Sequence, residues 1–279
     1  MAIIGVTDVG TTRADLVSAI VQETLKTKSI MIPTVANYPV PAGAKSLYIP
    51  RRAQFASESK VEDTDLTAQA MVFTQDQLTL SHEAVLAEVE IIAELQSAVN
   101  VEAEVIKEAA AELAKKADSL ILAQLKLAST SAPDHILDYS NTPTDTLQLL
   151  EIANARMLLN KQNVPMDERY LVISPDQEYA LLNIASFIQA ERYGSAEPIQ
   201  NGEIGRIFGF KVLTHASLAA ADAIFFHKSA CAFGVQLGVS FETQMHLPGV
   251  KKQYLAHTLM GAKVLQGGKA NVYYNGTGS

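Results

Sequence analysis

The spacing of apolar residues changes repeatedly along the chain, and each change predicts a new element. Between Thr11 and Lys28, Leu16, Val17, Ile20 and Val21 recur at helical spacing and predict a short helix. From Met31 to Ala44 that period is broken by Pro33, Pro39, Pro41 and Gly43. Ring-locked φ angles and missing N–H donors exclude a helix there and predict an extended arm. Such an arm has little to bury against within its own domain, so it is expected to wrap on a neighbouring molecule.

From Lys45 to Glu83 the period is two. Leu47 and Ile49 alternate with Ser46 and Tyr48 as far as Pro50. Val72 and Phe73, then Leu78 and Leu80 alternating with Thr79 and Ser81, supply a return strand. Between them runs a polar tip, Ser57 to Gln69, without an apolar cluster. A two-stranded excursion of this length is marginal alone in water, so it calls for support from a partner.

Ala84 to Leu127 carries the strongest helical pattern. Val105, Ile106, Ala109, Leu113, Ala117, Leu120 and Ile121 form one stripe, with Glu104, Glu108, Lys115 and Lys126 on the other side. Glu112 and Lys116 are spaced for an i,i+4 ion pair. A helix from Ser97 to Leu127 would span ~45 Å, and a break over Gln96 to Asn100 separates a shorter helix ahead of it.

Helix and strand then alternate. Thr142-Pro143-Thr144-Asp145 opens a helix running to Asn160, and Tyr170 to Ile173 is a short apolar strand. Ser174-Pro175-Asp176-Gln177 reads as a capping box, heading a helix that carries Leu181, Leu182, Ala185 and Ile188 and ends at Gly194. Gly202, Gly205 and Gly209 punctuate turns before a strand at Phe210 to Leu213. Ala223 to Phe226, Val235 to Met245, Tyr254 to Leu265 and Ala270 to Tyr274 make a β-rich C-terminus, with Gly267-Gly268 as a hairpin turn between the last two.

Composition narrows the class. The 279 residues are 48% hydrophobic and 19% charged, which is globular rather than disordered. No apolar run approaches the ~18 residues of a membrane helix, because Asp222 interrupts Ser217 to Phe226. Met1 to Arg13 lacks the basic-then-apolar layout of a secretory signal. The single cysteine, Cys231, excludes an internal disulfide framework. A net charge of -8 does not suit a protein that grips nucleic acid through its phosphates, although it is compatible with a wall that merely encloses DNA.

Candidate chemistry adds little. Gly202, Gly205 and Gly209 have the wrong spacing for a dinucleotide fingerprint, and Ala270 after Gly268-Lys269 breaks a phosphate loop. The six histidines are scattered, with no H-x-x-x-H pair. Cys231 lies in an apolar strand and reads as a small buried hydrophobe. Glu102/Glu104 and Glu62/Asp63 lie on a charged helix and a polar tip and read as solvated or intermolecular rather than catalytic, since catalysis would need a shielded pocket. No catalytic, cofactor-binding or metal-binding residue and no cofactor is expected. The charged candidates are instead on the excursion: Arg51 and Arg52 follow Pro50, and Glu58, Glu62, Asp63 and Asp65 cluster beyond them. Those six residues are the expected contacts to a neighbouring copy.

The order of arm, long hairpin, long helix, α/β lobe and returning strands resembles the major capsid proteins of tailed bacteriophages. The resemblance is carried by DERYLVISPDQEYALLN (Asp167 to Asn183), NGEIGRIFGFKV (Asn201 to Val212), FFHKSACAFGV (Phe225 to Val235) and LMGAKVLQ (Leu259 to Gln266). It implies an α+β fold of the Hong Kong 97 type. The arm would be 1–44, the extended loop 45–83, the peripheral domain with its spine helix 84–130, the axial domain 131–237, and the peripheral return strands 238–279. It further implies a coat protein that is not an enzyme and that self-assembles as pentamers and hexamers into an icosahedral head around double-stranded DNA. The expected partners are its own copies, a separate scaffolding protein, a portal and a decoration protein, with no membrane. Assembly would take place in the host cytoplasm, and the mature location would be the virion. Some relatives cross-link through a loop lysine; Lys45 and Lys60 lie in the loop and are expected to be simply solvated. An encapsulin-like bacterial compartment shell shares the fold and stays open as an alternative, as does a soluble α/β enzyme with a hairpin insertion.

Overall fold

A computed structural model describes residues 29–52, 55, 57–60, 62–63, 65–92, 101–131, 133–138, 146–183 and 205–276. The first strands in chain order are β1 (Ala36–Pro39), β2 (Ser46–Arg52), β3 (Phe73–Thr79) and β4 (Ser81–Glu90). Helix α1 (Val101–Leu125), strand β5 (Ile136–Asp138), helix α2 (Leu149–Lys161), strand β6 (Arg169–Ile173) and helix α3 (Pro175–Leu182) follow. The chain then runs through β7 (Arg206–Ile207), β8 (Phe210–Thr214), β9 (Asp222–His227), β10 (Cys231–His246), β11 (Lys251–Val264) and β12 (Asn271–Asn275). Among the described residues these strands form three sheets: β1-β10-β11-β4, β5-β12-β9-β6-β8-β7, and the separate ribbon β2-β3.

Helix α1 joins the two larger sheets. Its buried residues, Ile106, Ala109, Leu113, Ala117, Ile121 and Leu125, recur every three or four positions. The N-terminal half, through Ile106, Ala109, Ala110 and Leu113, packs on Val239, Phe241, Tyr254 and Ala256 of the four-stranded sheet. The C-terminal half, through Ala117, Ile121, Leu122 and Leu125, packs on Phe233 and Met260 and also on Val172, Ile224 and Phe226 of the six-stranded sheet. The opposite face of that sheet, with Leu171, Ile173 and Phe225, lies on Ile152, Ala155, Leu159 and Leu181 of α2 and α3. Strands covered on both faces have no solvent side, which explains the unbroken apolar runs at Tyr170 to Ile173 and Ala223 to Phe226. Glu102 and Glu104 in the first turn of α1 suit the positive end of its dipole. At the other end, the Asn271 side-chain amide donates to the Leu125 carbonyl and satisfies an orphan acceptor.

Several expectations need correction. Ala84 to Glu90 is strand, not helix: β4 pairs antiparallel with β11 from Ser81↔Met260 to Glu90↔Lys251. Its burial alternates, with Val85, Ala87 and Val89 packed toward α1 and Leu86 and Glu88 exposed. A dense apolar stretch satisfies both periods, and the open edge of β11 selects the strand. Residues 31–40 of the arm pack on their own body. Pro33 sits in a 3-10 turn, Ile32–Thr34, and β1 pairs parallel with β10 (Ala36↔Ala232 to Pro39↔Val235). Met31 and Val35 are fully buried. Pro39, which lacks an N–H, is tolerated because β1 is an edge strand.

Gly267-Gly268 is not a hairpin turn either. β11 belongs to the four-stranded sheet, whereas β12 inserts between β5 and β9 in the other. Gly268 has φ +75°, and a Cβ there would meet the Leu127 carbonyl and Ser129 nitrogen at the end of α1. That contact fixes the crossover, and it places 271–275 with the α/β lobe rather than with the return strands. Glu112 pairs with Lys115, while Lys116 reaches Glu83 on β4 at 3.5 Å. Lys126, beyond the helix end, is half-buried and pairs at 2.6 Å with buried Asp222. α2 starts at Leu149, where Gln148 and Glu151 form a reciprocal capping box. The predicted start at Thr142 to Asp145, the extension of α3 to Gly194 and the helix over Thr11 to Lys28 lie outside the described residues.

Candidate assembly hairpin and its root

The ribbon β2-β3 runs in register from Ser46↔Thr79 to Arg52↔Phe73. Its root is anchored. Leu78 is fully buried and, with Ala232 and Leu265, forms a small core against Tyr38, Leu47, Ile49 and Leu80. The Gln266 N–H donates to the Asp76 carboxylate at 3.0 Å. β10 bulges between Val235 and Leu237, and the bulge turns Gln236 toward the β1–β2 connection. There its side chain donates to the carbonyls of Pro41 (2.6 Å) and Ala44 (2.8 Å).

Beyond the root the ribbon leaves the body. Tyr48, Phe55, Leu66, Met71 and Val72 are exposed, and Phe73 is 65% exposed. The expected polar tip is therefore flanked by apolar residues, most densely at Met71 to Phe73.

The six charged candidates lie on this ribbon and are not buried. Arg51 donates from Nε to the Thr74 hydroxyl across the two strands at 3.1 Å. Arg52 is exposed opposite Phe73. Glu58 is used within the tip, accepting the Thr67 N–H (3.0 Å) and hydroxyl (3.2 Å). Glu62 and Asp63 form a turn, with Asp63 at φ +69°, and Asp65 is exposed beside it.

A further polar centre was not anticipated from the sequence. Asp118 lies on the buried stripe of α1, one turn beyond Ala114, and is 3% exposed. Its carboxylate accepts the Ser29 hydroxyl and the N–H groups of Ile30 (3.2 Å) and Met31 (3.3 Å), and it meets His215 Nε2 at 3.2 Å. The signal was present as a lone acid inside an apolar stripe.

Burial pushes the Cys231 thiol up to about 12, so it stays protonated and unreactive. Burial also lowers the His227 pKa, and the ring accepts the Ser229 N–H at 3.2 Å. No three His, Cys, Asp or Glu side chains among the described residues cluster to hold a metal ion. No described helix is long and apolar enough to cross a membrane.

The described residues thus form a two-sheet body with a shared spine helix and a projecting ribbon whose apolar residues are exposed. The family described as phage capsid protein matches residues 50–271, and the chain belongs to that family. Solved structures agree on the fold. A structure from Mycobacterium phage Che8 has a TM-score of 0.69 and 22% identity over 85% of this chain and 86% of that one. The mature capsid of bacteriophage PhiM1 has a TM-score of 0.68 and 13% identity over 88% and 86%. A virus-like particle from Pyrococcus furiosus has a TM-score of 0.63 and 14% identity over 94% and 99%. None of the curated proteins matches. The fold is of the Hong Kong 97 type, and the protein is a phage major capsid protein, a structural component of the virion. Membership of a phage family does not favour the encapsulin-like alternative.

Proposed function

We propose that this chain is a coat subunit that assembles as pentamers and hexamers into the icosahedral head around double-stranded DNA, without enzymatic activity of its own. The observation that carries this reading is the ribbon β2-β3, anchored at Leu78 and bare at Phe73. An exposed apolar ribbon is costly in a monomer and is covered when copies overlap. In this reading α1 with the four-stranded sheet is the peripheral domain, and the six-stranded sheet with α2 and α3 is the axial domain around the symmetry axes. Arg51 and Arg52 face acidic surface on the next subunit and fix the register of the ribbon. Glu62, Asp63 and Asp65 offer the complementary charge, while Glu58 shapes the tip. A separate scaffolding protein, a portal and a decoration protein complete the particle. Size-exclusion chromatography followed by negative-stain microscopy of the purified chain tests the reading. Capsomers or closed shells are expected, and a monodisperse monomer at all concentrations and salts would overturn it.

A further inference from the structure

β10 and β11 place Gly234 and Gly261 directly opposite one another, and the root of the hairpin lies over both. A Cβ on Gly234 would stand 3.0 Å from Val40 Cγ2 and 3.1 Å from Leu78 Cδ2. A Cβ on Gly261 would collide with the Thr79 carbonyl oxygen and come within 3.3 Å of Leu80 Cα. At Gly261 the close approach of another backbone, rather than an unusual backbone angle, is what requires glycine. β3 ends at Thr79 and β4 begins at Ser81, so the chain turns from ribbon into body directly over this window. The Ser81 hydroxyl donates to the Met260 carbonyl at 3.2 Å, and the Gln236 and Asp76 contacts hold the other sides.

We propose that the Gly234–Gly261 pair is a positioning seat: it sets the angle at which the hairpin leaves the body, and that angle decides assembly separately from folding. The consequence for assembly rests on the capsid reading above. The obstacle at Gly261 is backbone, so an added methyl group cannot be absorbed by a rotamer change, and the ribbon must lift. A seven-residue strand is about 23 Å long, so a tilt of ~10° moves Arg52 by ~4 Å. An interface packed to interior density does not tolerate such a shift. At Gly234 the obstacles are side-chain ends, which can be trimmed.

The test places spin labels at Ser57→Cys in the tip and Lys115→Cys on α1, both exposed; buried Cys231 stays unlabelled. Pulsed-resonance distances, circular dichroism and shell formation are then read together. Gly261→Ala is expected to keep the folded spectrum, shift or broaden the distance by several Å, and lose shells. Gly234→Ala is expected to act in the same direction, and adding Val40→Ala, which removes the nearest obstacle, should move distance and shells back toward wild type. The same addition should not rescue Gly261→Ala. Unchanged distances and shells in Gly261→Ala overturn the proposal, as do shifted distances with normal shells. If Gly261→Ala does not fold, the Gly234→Ala pair decides, and failure of Val40→Ala to rescue it overturns the seat. A wild-type chain that forms no shells defeats the capsid reading, while the distances still decide the seat.

Discussion

Asp118 of α1 and His215, just past the end of β8, meet in the interior with Oδ2 and Nε2 3.2 Å apart. The same carboxylate accepts the backbone of Ile30 and Met31, so one buried acid ties the arm, the spine helix and the α/β lobe together.

Asp118→Ala therefore strands several buried donors at once. The expected cost is about 3 kcal/mol in urea unfolding of the dissociated subunit. Asp118→Asn keeps one acceptor oxygen and should cost less. Equal stability of Asp118→Ala and wild type would show that the donors find other partners.

Leu113 and Lys115 are two residues apart on opposite faces of α1. Leu113 is 1% exposed, and the Lys115 side chain is 64% exposed. Leu113→Ala should cost ~2–5 kcal/mol through the cavity it leaves. Lys115→Ala should cost less than ~0.5 kcal/mol, because an exposed i,i+3 pair contributes little. Comparable losses for the two variants would contradict the assigned face.

Arg51 and Arg52 have no core to support. The double change Arg51→Glu with Arg52→Glu should leave circular dichroism and subunit stability unchanged but block or weaken shell formation. High salt should weaken wild-type assembly in the same direction, since exposed pairs are screened. Wild-type yields of equally stable particles from the double variant would remove these residues from the interface.

His227 gives the subunit a pH dependence of known sign. Desolvation lowers its pKa below 6.5, so the folded state resists protonation more than the unfolded chain does. The unfolded state then binds the extra proton first, and stability falls as pH drops below ~6.5. Above that pH His227 contributes no penalty. Protonation at Nδ1 would also break the Ser229 N–H contact. Urea midpoints at pH 7.5 and pH 5.5 should therefore lie closer together in His227→Gln than in wild type, and an unchanged gap would assign the slope to other groups.

Much of the local structure is written in short-range pattern. The stripe on α1 determines a helix because its period holds over the full 25 residues of Val101–Leu125. Ser174 accepts the Gln177 N–H as its sequence motif requires, and the alternation of Leu47 and Ile49 is realised in the ribbon β2-β3. The charges at Arg51, Arg52 and the tip were likewise readable, since they are facts of composition. What the sequence left open depends on partners far along the chain. Ala84 to Glu90 is a strand because β11 offers it an edge from residues 251–260. β12 joins the α/β lobe because Gly268 must pass beneath the end of α1. Residues 31–40 close on their own core because β10 has a free side for β1 and Asp118 holds Ile30 and Met31. Exposure at Phe73 and contact at Gly261 are properties of packed surfaces, so residues that look ordinary in the chain acquire their roles only when the ribbon is set upon the sheet.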